Sequence, residues 1–222
     1  MAAIPWDRRF RLLFKPLHTP ERYYANYERV RRLDLGRMSI YAQLKAAVAF
    51  AQGDLLDFGC GMGYVTHFLG ARGVDVEAAA IALARKNFPG TDYECRDLES
   101  LLQEGRRYRA LTCVNVLEHF EDEFREHFLT SVHRLLIPDG RLCVVYDSMY
   151  NPMQLLSGLI HPGMLLTDPT HVHCWTQRRF RRLLQEHFQI VEERPGNILS
   201  LFLPFTNIFA TARLYICVPK RP

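Results

Sequence analysis

The sequence predicts an α/β fold: a doubly wound, mostly parallel sheet with helices on both faces. Three observations carry this. Between residues 54 and 148, short strand-like runs alternate with helical segments, the rhythm that builds parallel sheets. A glycine turn, Gly59, Gly61 and Gly63, follows the first run and opens a helical one, which places a ligand site at the carboxyl ends of the strands. The chain is 222 residues long, 48% hydrophobic and 23% charged, enough for one packed core and too little for two ordinary domains.

Residues 1–52 form an N-terminal helical layer in this reading, with Pro20 near a helix start, Gly36 at an interruption and Gly53 just past a helical end. The main domain runs from 53 to 222. "DLLDFG" is its first strand and "YVTHFLGAR" its first helix; "VDVEA" and "AAIALARKNF" are the next pair. "TDYECRD" is a strand, "LESLLQEG" a helix or loop, "YRALTCVNVL" a strand, "EDEFREHFLTSVHRLL" a helix and "GRLCVVYDS" a strand. The rhythm then breaks. Residues 149–175 are apolar and rich in Met, Gly and Pro, and read as a lid over a substrate mouth. A helix capped by Thr176 follows, then two strands, "FQIVEER" and "ARLYICVP", joined by an apolar connection that serves as a second cap or a homodimer face.

Charge is unevenly spread: residues 1–37 hold nine Arg/Lys against four Asp/Glu, and residues 178–222 eight against three. Basic ends of this kind suit anionic partners, including peripheral contact with a membrane surface, but lack the aromatic interleaving of an RNA-binding pattern. The six cysteines, Cys60, Cys95, Cys113, Cys143, Cys174 and Cys217, are scattered, without a C-x-x-C and without a secretory signal ahead of them. They read as small buried hydrophobes in a reducing, cytoplasmic protein. The most apolar span, 197–218, is broken by Pro204, Asn207 and Arg213 and is no transmembrane helix.

The spacing of the glycine turn is G-x-G-x-G, with Tyr64 where a dinucleotide fingerprint needs its third glycine. "LLDFGCGMG", together with "YRALTCVNVLEHF" and "LLIPDGRLCVV", resembles the class I S-adenosylmethionine-dependent methyltransferases of small-molecule type over roughly residues 50–190. The resemblance implies a Rossmann-like sheet of seven strands whose last strand is antiparallel, with S-adenosylmethionine as cofactor and S-adenosylhomocysteine as product. It implies cofactor contacts from Asp57, Gly59, Cys60, Gly61 and Gly63, from Asp97 and the Leu98 amide at the adenine, and from Asn115 at the methionine part.

The second strand departs from the family pattern. Counting from Gly63 puts the expected ribose-binding acid at Ala80, as though a short turn had been removed. Glu77 is the nearest acid and the candidate for the ribose hydroxyls; Asp75 shares its strand face, and only the residue that ends the strand can reach. The altered turn keeps a second hypothesis open, a catalytically inactive, methyltransferase-like binding or scaffolding subunit.

A methyl on a sulfonium is already electrophilic, so the protein mainly aligns it with the acceptor and, for an oxygen acceptor, removes a proton. Candidate bases are His171 and His173 in "DPTHVHCWT" and His119 in "LEH". Asp168 is the one further ligand near the H-x-H pair, and no metal is expected there. Tyr150 and Trp175 are candidates for the acceptor pocket or for core. The Met-rich lid favours a small hydrophobic acceptor, and methylation at oxygen is expected ahead of nitrogen or carbon. Nucleic acid is disfavoured, because "NVLE" stands where base-amino methyltransferases carry Asn or Asp, two prolines and an aromatic residue.

Overall fold

A computed structural model describes residues 39–148, 171–196 and 212–220. The expected lid residues 149–170, Tyr150 and Asp168 among them, the connection from 198 to 209 and residues 1–38 of the helical layer lie outside these.

The described chain runs α1 (Ser39–Val48), β1 (Leu55–Phe58), α2 (Tyr64–Leu69), β2 (Arg72–Asp75), α3 (Ala78–Asn87), β3 (Tyr93–Cys95) and α4 (Leu98–Glu104). It continues through β4 (Tyr108–Val114), α5 (Asp122–Leu135), β5 (Leu136–Asp147), α6 (Gln177–His187), β6 (Phe188–Pro195) and β7 (Ala212–Pro219). The seven strands form one sheet in the order β3-β2-β1-β4-β5-β7-β6. Strands β1 to β5 pair in parallel, whereas β7 is antiparallel to both β5 and β6. The order reverses beside β1, so the crevice forms at the carboxyl ends of β1 and β4.

Alternation along the strands assigns each side chain to a layer. Leu56, Phe58, Leu111, Cys113, Leu142, Val144, Tyr215 and Cys217 face α4, α5 and α6, where they meet Leu98, Leu101, Phe128, Val132, Phe180 and Leu184. Their neighbours Leu55, Ala110, Cys143, Val145, Leu214 and Ile216 face α1, against Ile40, Leu44 and Val48. Cys113, Cys143 and Cys217 are buried as expected, but Cys95 is exposed. Thr176 caps α6, its hydroxyl accepting from the Arg179 amide at 3.3 Å.

At the strand ends opposite the crevice, Arg72 is 7% exposed. Its guanidinium donates to Glu94 and Glu104 at 2.7–3.0 Å and to the Tyr108 hydroxyl. Arg96 bridges the same two carboxylates from outside, at 2.6 and 2.9 Å. Removing a buried cation strands its partners, although Arg96 still neutralises them here. Arg72→Met is therefore expected to cost about 2 kcal/mol in urea unfolding, and Arg96→Met under about 1 kcal/mol. Equal losses would refute the assignment of Arg72 as the network's centre.

Candidate active site

A cavity of about 450 Å³ opens at the carboxyl ends of β1, β2 and β4. The β1 end, the glycine turn, the β2 end and the turn after β4 form its walls.

Gly59, Gly61 and Gly63 take φ of 72°, 51° and 83°, backbone that favours glycine. A Cβ on Gly59 would lie 2.6 Å from Val116 Cγ2, and one on Gly63 would strike the Tyr93 hydroxyl, whereas a Cβ on Gly61 would meet open space. The amides of Gly59, Cys60, Gly61 and Gly63 all point back into the protein. Gly59 and Cys60 N–H donate to the Val74 carbonyl, Gly63 N–H to Cys60, and Gly61 N–H to Asp75 Oδ2 at 2.8 Å. A phosphate cradle needs such amides free, and these four are taken.

Asp57 sits behind the turn, 2% exposed. Its carboxylate accepts from the Thr66 and Thr112 hydroxyls, both at 2.7 Å. Burial pushes its pKa up to about 6, against the two hydroxyls, which lower it. Asp57 belongs to the cavity wall and, through Thr66 and Thr112, also braces the turn. Cys60 is buried beside it, its thiol raised by desolvation and then by Asp57 and Asp75.

At β2 the structure corrects the sequence reading. The strand ends at Asp75, α3 begins at Ala78, and Ala80 is buried within that helix. No turn is missing. Asp75 lies in the wall, with Oδ2 on the Gly61 amide and Oδ1 on the Glu77 amide at 2.9 Å. Glu77, also in the wall, is the exposed N-cap of α3, its carboxylate accepting from the Ala79 amide at 3.4 Å. The signal was present in "GVDVE", where alternation ends on Asp75 once Val76 turns outward.

Asp97 is exposed and caps α4, accepting from the Ser100 amide at 2.9 Å; hydrogen bonds from the Ser100 side chain and then its amide lower its pKa. Leu98 is core at 1% exposed. Arg96, and neither Asp97 nor Leu98, belongs to the wall among the described residues. Asn115 lies in the wall beyond β4 at φ 53°. Its Nδ2 donates to Asp147 Oδ2 at 3.0 Å, and its Oδ1 is buried without a hydrogen-bond partner among the described residues. Burial raises the Asp147 carboxyl, against the Asn115 hydrogen bond.

The three candidate histidines separate. His119 lies in the wall, on the 3-10 turn Leu117–His119. His171 stands edge-on to it, ring centroids 4.7 Å apart, because the Val172 and His173 amides both donate to the Glu118 carbonyl. Carboxylate and imidazole atoms of Glu118, His119 and His171 lie within 4.8 Å of one another, a grouping that sequence spacing did not announce. His173 does not join the wall among the described residues: it is buried, stacked on Trp175, with Nε2 3.0 Å from Asp122 Oδ1. Trp175 is core, against Tyr146 and Phe180. The aromatics that line the cavity near His119 are Phe120 and Phe124, edge to face at 4.8 Å, which the sequence reading had passed over.

S-adenosylmethionine fits these residues. The turn has no amide among Gly59, Cys60, Gly61 and Gly63 left over for phosphate, open space stands before Gly61, and Asn115 Oδ1 waits for a donor. Asp75 and Glu77 bring negative charge to a group that carries a sulfonium and an ammonium.

A family model described as a methyltransferase domain matches residues 29–193. The chain is 30% identical over 97 residues to a ubiquinone biosynthesis O-methyltransferase of Coxiella burnetii (40% of this chain, 41% of that protein). It is 27% identical over 172 residues to that of Azotobacter vinelandii (72% and 65%). The match thus spans about two fifths to two thirds of these relatives' length. Among solved structures, magnesium protoporphyrin IX methyltransferase from Synechocystis PCC 6803 with bound S-adenosylhomocysteine superposes with a TM-score of 0.60 at 17% identity, covering 88% of this chain and 95% of that one. A methyltransferase from Archaeoglobus fulgidus gives 0.62 at 16%, covering 88% and 99%.

Proposed function

The chain belongs to the methyltransferase-domain family of S-adenosylmethionine-dependent enzymes, and from this premise we propose that it methylates a hydroxyl of a small, largely apolar acceptor. The observation that carries the reading is one cavity wall that joins Asp75 on β2 to His119 after β4, with Phe120 and Phe124 alongside. The names of the curated relatives, ubiquinone biosynthesis O-methyltransferases, point to the same acceptor chemistry.

When bound, the cofactor supplies a methyl made electrophilic by the attached sulfonium. Asp75 accepts from the ribose hydroxyls, with Glu77 at the rim. Val76, 65% exposed in the wall beside Asp75, offers its apolar face to the adenine. Phe120 and Phe124 hold the acceptor and exclude water. His119 takes the proton that the acceptor hydroxyl loses, and His171, edge-on behind it, holds that ring in place. Asp75 already fixes the glycine turn through the Gly61 amide, so both jobs fail together when it is removed. Asp75→Ala is expected to weaken S-adenosylhomocysteine binding about tenfold to a hundredfold in calorimetry. Glu77→Ala should cost far less, since it loses one exposed cap. The reverse ranking would restore Glu77 as the ribose ligand.

A second reading rests on the Glu118, His119 and His171 group: a divalent cation there would polarise the acceptor oxygen. Donor atoms around a tetrahedral zinc stand about 3.4 Å apart, so a group spread to 4.8 Å would have to contract. The proton-transfer reading is favoured for that reason. The deciding experiment offers apolar phenols, catechols and amines with cofactor labelled on its methyl, before and after chelation with EDTA. Label in a phenolic ether, unaffected by EDTA, is the expected result. Label only in amines would overturn the oxygen assignment, and loss with EDTA that magnesium or zinc restores would select the cation.

A further inference from the structure

We infer that Asp147 is a positioning residue, which holds the Asn115 amide with its oxygen turned to the cavity, ready to accept from the cationic amino group at the cofactor's amino-acid end. The inference rests on the reading of the cavity as an S-adenosylmethionine site.

Strands β4 and β5 run side by side in parallel, Val114 opposite Val145. Asn115 leaves β4 with its own amide on the Val145 carbonyl at 3.0 Å, and Asp147 closes β5 two residues later in the neighbouring strand. The two side chains therefore meet at the carboxyl edge of the sheet. A side-chain amide has a donor end and an acceptor end of nearly the same shape, and its neighbours decide which faces which way. An ionised carboxylate only accepts. Asp147 Oδ2, 3.0 Å from Asn115 Nδ2, therefore fixes the nitrogen toward β5 and leaves Oδ1 as the other face.

Asn115 is the one residue other than glycine with positive φ among the described residues. Asn tolerates that backbone better than most side chains, and such strain persists where surrounding structure and function hold it. Its Oδ1 is buried, unsatisfied among the described residues, in a residue of the cavity wall. A buried acceptor in that state is costly unless a ligand brings a donor. The cofactor has three sets of donors: the adenine amine, the ribose hydroxyls and the ammonium. The sheet order places Asp75 and Asn115 on opposite sides of β1. With the ribose at Asp75, the group that extends past β1 to Asn115 is the amino-acid end.

The test measures, by calorimetry, the binding of S-adenosylhomocysteine and of 5′-methylthioadenosine, which shares the nucleoside and thioether but lacks the amino-acid end. Asp147→Leu should weaken S-adenosylhomocysteine by at least about tenfold and leave 5′-methylthioadenosine unchanged. Asp147→Asn should retain most of the affinity, because its carbonyl still accepts from Asn115. Asn115→Gly, which tolerates the positive φ, should match Asp147→Leu, and the double variant should lose no more than either. Equal losses for both ligands in Asp147→Leu would mean a merely structural role and overturn the inference, as would no loss at all. If the leucine variant does not fold, Asn115→Gly decides by the same selectivity. Wild-type protein that binds neither ligand would refute the site reading itself, an outcome distinct from a failed selectivity.

Discussion

His119→Gln is expected to slow methyl transfer to a hydroxyl acceptor by about 10²–10⁴-fold, the usual contribution of a positioned general base, with S-adenosylhomocysteine affinity nearly unchanged. His119 lies in the cavity wall on the short turn after β4, while Asp75 ends β2, on the other side of β1. Gln preserves size and hydrogen bonding but cannot take a proton. The loss should therefore fall on kcat. His171→Gln removes only the edge-on neighbour at 4.7 Å, so a smaller loss is expected. His173→Gln, away from the cavity and beside Asp122, should lower stability without a specific loss of kcat. A His173 variant that is folded yet as inactive as His119→Gln would reverse this order.

Asp57→Asn should change how stability depends on pH by about 3 kcal/mol, since each pKa unit is worth about 1.4 kcal/mol. Its folded pKa is raised from 3.8 to about 6 by burial. A carboxyl raised on folding contributes stability that is fully present below pH 3.8 and is lost as pH rises through about 6. Above that, the folded protein carries a buried carboxylate held by two threonine hydroxyls. Asn cannot ionise and escapes this term. Urea unfolding of both proteins between pH 4 and 7 should show the wild type losing ground to the variant as pH increases. A difference constant over that window would show that Asp57 folds with an ordinary pKa.

The alternation between 54 and 148 announced the parallel strands β1 to β5, since burial on both faces demands short apolar runs separated by helices. The Thr176 cap was equally legible, because capping is local. Which of Asp75 and Glu77 ends the strand is not legible in the sequence; β2 stops at Asp75. Strand ends depend on pairing with neighbours, and Asp75 stands opposite Cys95 at the far edge of its ladder with β3. With Asp75 and Glu77 both in the cavity wall, the short turn after β2 does not by itself argue for a binding subunit without catalysis.

The sequence by itself determined the α/β class, the glycine turn and the family, because these depend on local backbone needs and on periodic burial. Tertiary structure alone decided the side-chain partnerships. Asp57 became a brace because Thr66 and Thr112 converge on it from α2 and β4. His171 joined His119 across 52 residues because two amides of its segment dock on the Glu118 carbonyl. Asn115 met Asp147 because two parallel strands end side by side. Hydrogen bonds between residues distant in sequence leave no periodic trace in the chain, so only the folded sheet, by bringing strand ends together, reveals them.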